Sequence, residues 1–108
     1  MFSYLDVIPS KSSIRPDEDL NILGGAANHG DAVETDMTVW GNTGSGWVPL
    51  ITRHMLIEKE EHKHLYFTIT PEILWENLWK EGPEEFDLII RDTEPGDDET
   101  GVLIFVKD

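Results

Sequence analysis

Cysteine is absent from this chain, and with it go disulfides, thiolate zinc sites and cysteine nucleophiles. That absence permits a reducing compartment. Basic residues are scarce: eight Lys and Arg stand against 22 Asp and Glu, a net charge of −14. Neutralising phosphates takes clustered cations, so direct nucleic-acid binding is disfavoured, and so is binding to anionic membrane surfaces. No apolar run approaches the ~20 residues that a membrane helix requires. The opening MFSYLDVIPSKSS carries Asp6 inside its apolar run and no basic leader, so no signal peptide is expected. The expectation is a cytoplasmic, soluble protein.

At 108 residues, 39% of them hydrophobic, the chain is expected to be one domain spanning 1–108. A chain this long buries roughly two-thirds of its unfolded surface, so it needs no metal to hold a core. No repeat, linker or low-complexity stretch interrupts it.

Apolar alternation marks strands at 3–8, 37–40, 47–58 and 62–70, and two strongly apolar runs at 86–92 and 101–108 read as inner strands. Pro16 followed by Asp17, Glu18 and Asp19 signals a short N-terminal helix ended by Gly24-Gly25. The stretch 25–35 reads as a loop. Thr70-Pro71-Glu72 is a helix entry, and Gly82-Pro83 an exit. Between them Leu74, Trp75, Leu78 and Trp79 form one stripe of an amphipathic helix over about 71–81. The fold predicted is α+β: a mainly antiparallel twisted sheet of about five strands covered by that helix. A small barrel is the alternative.

Glycine-rich WGNTGSGW (40–47) leads into a strand and has no nearby lysine, so neither a P-loop nor a dinucleotide site is present. Trp40 and Trp47 are expected to anchor the core or a loop. No Gly-x-Ser-x-Gly elbow accompanies the serines and histidines, and the Asn28-His29-Gly30-Asp31 turn offers at most a lone base. A non-enzyme without cofactor is expected.

Two patterns carry candidate chemistry. If 47–58 and 62–70 form a hairpin pairing Met55 with Leu65, then His54, His62 and His64 share one face with Glu58. Such a set would suit zinc, nickel or iron. The carboxylate that a cupin-type pattern places soon after His-x-His is missing here.

The second pattern is DTEPGDDETG (92–101), five carboxylates in ten residues. Set against a calcium loop opening at Asp92, it puts Asp97 where glycine is required and Leu103 where the bidentate glutamate belongs. Glu94-Pro95-Gly96 is turn chemistry for a C-terminal hairpin.

Together these features predict a non-catalytic acidic binding protein, of the inhibitor or immunity type, that occupies the basic site of a nucleic-acid-binding partner. Its contact residues would be Asp92, Glu94, Asp97, Asp98 and Glu99, with Glu84, Glu85, Trp75 and Trp79. The alternatives are a homo-oligomer assembled through sheet edges and a small metal-dependent enzyme using the histidine face.

Overall fold

The computed structural model describes residues 2–78 and 85–107. The chain is mostly strand, arranged as two stacked sheets with one helix. In chain order the strands are β1 (Phe2–Pro9), β2 (Ser13–Ile14), β3 (Leu20–Asn28), β4 (Val33–Asn42), β5 (Trp47–Ile57) and β6 (His62–Ile69). Helix α1 (Pro71–Asn77) follows, then β7 (Glu85–Arg91) and β8 (Val102–Val106). One sheet has the order β1-β3-β6; the other runs β2-β8-β7-β4-β5. Neither closes into a barrel. All pairings are antiparallel except β2 with β8. The chain crosses between sheets after β1, β2, β3, β5 and β6, so among the described residues only β4–β5 and β7–β8 are hairpins. This is a Greek-key sandwich of the immunoglobulin-like kind.

The short N-terminal helix is not formed. Residues 15–18 close a turn in which Glu18 N–H donates to Arg15 O at 3.1 Å, and the Glu18 carboxylate accepts from Arg15 N–H and pairs with Lys11. The chain then enters β3, because Leu20, Ile22, Gly24 and Ala26 alternate toward the second sheet. Leu20, Ile22 and Ala26 are buried there. Of the stretch 25–35 expected to be a loop, 29–32 is a turn, while 25–28 belongs to β3 and 33–35 to β4. Packing favours glycine at position 24: a Cβ there would lie 2.9 Å from Ile90 Cδ1 and 3.1 Å from Phe67, so both side chains would have to shift.

Between the sheets lie Ile22, Phe67, Ile69, Val39, Leu88, Ile90, Phe86 and Ile104. A smaller cluster of Met37, Met55, Ile57 and Ala26 extends the core toward the β3–β4 end. Helix α1 is the link from β6 to β7. Thr70 caps it by accepting from Ile73 N–H, Pro71 occupies its first turn, and Leu74 and Leu78 are buried. It runs to Asn77 with Leu78 as its C-cap, and residues 79–81 of the expected helix lie outside the described residues. Among the described residues no helix is long and apolar enough to cross a membrane.

The β5–β6 hairpin is also not formed. Strand β5 pairs with β4 and β6 pairs with β3, so the 58–61 connection passes from one sheet to the other. Glu60 takes a left-handed φ of 59° in that turn. Asn28, fully buried, fastens the crossing: its amide nitrogen lies 2.9 Å from Asp31 O, 3.1 Å from Glu58 O and 3.3 Å from Ile57 O. The facing edges of β5 and β6 are then bridged by cations. Arg53 donates to Tyr66 O at 2.8 Å with its guanidinium over the Phe67 ring, and Lys63 donates to Leu56 O at 2.9 Å.

Candidate docking face

Strand alternation sorts the five-stranded sheet into an inner and an outer set. On β4, Met37, Val39 and Gly41 point inward, which turns Glu34, Asp36, Thr38 and Trp40 outward. On β7, Phe86, Leu88 and Ile90 belong to the core, leaving Glu85, Asp87, Ile89 and Arg91 on the outer face. Cross-strand register sets Leu103 beside Asp87 and Phe105 beside Glu85. Both apolar side chains are exposed. A depression of about 210 Å³ opens where Glu85, Asp87 and Leu103 meet Asn42 and Thr43.

The 92–101 segment does connect the β7–β8 hairpin, and it also lies back over this outer face as a strap. Trp47, opposite Asn42 on the outer side, donates its indole N–H to Gly96 O at 3.2 Å. Arg91 pairs with Glu99 at 3.2 Å, and the same carboxylate accepts from Gly96 N–H. A turn bond from Glu99 N–H to Gly96 O closes the loop. Pro95 is buried, and Ile89, though it points outward, is only 3% exposed. Under this cover the Trp40 indole nitrogen is buried without a hydrogen-bond partner.

The consequence is electrostatic. Glu34, Asp36, Glu85 and Asp87 from the strands, and Glu94, Asp97, Asp98 and Glu99 from the strap, collect on one side of the sandwich, with Asp92 at the strap's root. Among the described residues, two cations near them are already engaged: Arg91 by Glu99, and Lys107 over the Phe105 ring at 5.7 Å. His54 sits between two acids, with Nδ1 2.8 Å from Asp36 and Nε2 3.1 Å from Glu34. These contacts, Asp36 foremost, raise its pKa above the usual histidine value. At the start of the chain the opposite holds for Glu18, whose pKa is lowered chiefly by its bond to Lys11.

The other expected residues are placed elsewhere. Trp75 is 52% exposed, but on the crossover helix. Trp79 and Glu84 lie outside the described residues. His54 and Glu58 belong to β5 and its end, whereas His62 and His64 belong to β6 in the other sheet; the register that joined them does not exist. Among the described residues no three His, Asp or Glu side chains are arranged to hold a metal. His62 instead meets His29 edge-on, with ring centroids 6.3 Å apart. Sequence reasoning passed over Glu34 and Asp36, and noted Asp87 only as a neighbour of Glu84 and Glu85. The alternation of Glu34 and Asp36 with Thr35 and Met37 was the available signal.

No protein-family model and no curated protein sequence matches the chain. Solved structures do. A β-glucosidase from Erythrobacter marinus shares the fold with a TM-score of 0.73 at 17% identity, over 99% of this chain and 15% of that one. A β-glucosidase from Listeria innocua, in complex with gluconolactone, aligns at a TM-score of 0.70 and 13% identity, over 97% of this chain and 16% of the other. The chain thus spans about a sixth of the length of these enzymes, and at such identities the likeness is one of fold.

Proposed function

We propose that this chain is a non-catalytic binding module whose acidic face docks on a basic protein, as an inhibitor or immunity-type protein does when it covers a nucleic-acid-binding site. The observation that carries the reading is the gathering of strand and strap carboxylates on one side of the five-stranded sheet, around the exposed pair Leu103 and Phe105. Apolar anchors ringed by like charge combine a desolvated centre with long-range attraction to a basic surface. Such attraction speeds encounter and weakens with salt. The test is capture from native lysate, followed by mass spectrometry, with the wild-type chain and an Asp97→Asn/Asp98→Asn/Asp87→Asn variant. A basic nucleic-acid-binding protein held by the first and released by the second supports the reading. Equal capture by both removes the acidic face from it.

Assembly through sheet edges is the weaker alternative, because inward cations occupy the β5 and β6 edges, a known way of blocking edge pairing. The likeness to a sixth of two β-glucosidases favours another reading, an accessory sandwich attached to a saccharide-processing enzyme. Calorimetric titration with glucose and laminaribiose tests it directly; heat of binding would favour it over acidic docking.

A further inference from the structure

The outer face of the three-stranded sheet differs from the acidic face in kind. Ile8, Leu23 and Tyr66 lie in register across β1, β3 and β6, forming one apolar row. Ile8 is 55% and Tyr66 75% exposed, and between them runs a depression of about 200 Å³. The next row along the strands is Asp6, Gly25 and His64. Gly25 contributes no side chain, so the carboxylate and the imidazole stand two strand spacings apart, ~9.5 Å. That is too far for them to pair within one copy. Asp6 is the single acid in these two rows, in a chain that carries 22.

We propose that this face pairs two copies of the chain about a twofold axis running along β3. Such an axis carries β1 over the second copy's β6 while keeping each row at its own height. Ile8 then lies against the partner's Tyr66, and Asp6 against the partner's His64. Both contacts occur twice, and Leu23 meets its own counterpart at the centre. The face is therefore complementary to itself in apolar surface and in hydrogen-bonding character, as an isologous interface requires. Imidazole N–H groups donate to a carboxylate whether or not the ring is charged. A second copy is also the occupant that the charge distribution allows: this face can approach its equivalent while the acidic faces point away from each other.

Sedimentation equilibrium on the full chain tests the pairing. The wild type is expected to dimerise reversibly, and Leu23→Asp, which brings two carboxylates together on the axis, to weaken association at least tenfold. Circular dichroism checks that this variant is folded. Asp6→His and His64→Asp, each alone, set like groups against each other and loosen the dimer several-fold. The Asp6→His/His64→Asp double variant restores the pairs across the axis and recovers association. A wild type that stays monomeric to ~1 mM, or a charge swap that rescues nothing, overturns the proposal.

Discussion

Asn28 sits without exposed surface where the β3–β4 turn meets the β5–β6 crossing, within hydrogen-bond distance of three backbone carbonyls. Alanine there removes the donor and leaves buried acceptors unmatched, at a cost of about 2–3 kcal/mol. The expected fall in melting temperature is on the order of 10 °C. Asn28→Asp should be no milder, because it sets a carboxylate against carbonyl oxygens. A thermal melt that does not move for either variant counts against the assignment. His54 gives a second residue-level expectation. Its raised pKa means that folding favours the imidazolium, so its contribution to stability is complete below the unfolded value of ~6.5 and vanishes as pH rises through the folded value. Asp36→Asn should lower the midpoint of the His54 ring in an NMR titration. It should change stability in mild acid and leave it unchanged well above neutrality.

At the scale of elements, the strap over the outer face is held by few bonds, each of which can be removed. Glu99→Ala deletes the partner of Arg91 and the acceptor of Gly96 N–H together. A loss of about 1–2 kcal/mol is expected, with faster hydrogen exchange at the 96–99 turn and little change in β7. Exchange that stays slow would mean that Pro95 and Trp47 suffice. Much of the element pattern was legible in the chain. Strands at 47–57 and 62–69, the Thr70-Pro71 cap and the β7–β8 hairpin follow from alternation and turn chemistry. Two errors have separate local causes. Gly-Gly-Ala-Ala after Ile22-Leu23 resembles a helix end and a loop because small residues show no period, yet they mark the place where the sheets come close. The four-residue break at 58–61 resembles a hairpin turn because local chemistry is the same whether a strand returns to its neighbour or crosses the core. Arg53 and Lys63, polar at inward positions of otherwise apolar strands, were the signal that both strands are edges.

For the whole molecule, the decisive property is that the acid-rich face of the five-stranded sheet and the apolar Ile8-Leu23-Tyr66 row of the three-stranded sheet lie on opposite sides of the sandwich. The sequence discloses the count of acids but not their placement, since the strand acids and the strap acids meet only through the Greek-key order and the fold-back at Trp47. Separation gives the two surfaces opposite responses to salt. Docking of a basic partner on the acidic face is an attraction between unlike charges, and between ~50 and ~500 mM salt screening shrinks its reach from above 10 Å to below 5 Å. Capture should therefore weaken at least tenfold, and the neutralised Asp87/Asp97/Asp98 variant should converge with the wild type at the upper limit. Pairing through the β1-β3-β6 face instead brings together two copies of net charge −14. Screening relieves that repulsion while the apolar contacts of Ile8, Leu23 and Tyr66 persist, so dimerisation should tighten across the same range. Sedimentation and capture measured over one salt series separate the two surfaces. If both signals fall together, the chain uses its acidic face for both, and the division of labour between the sheets is wrong.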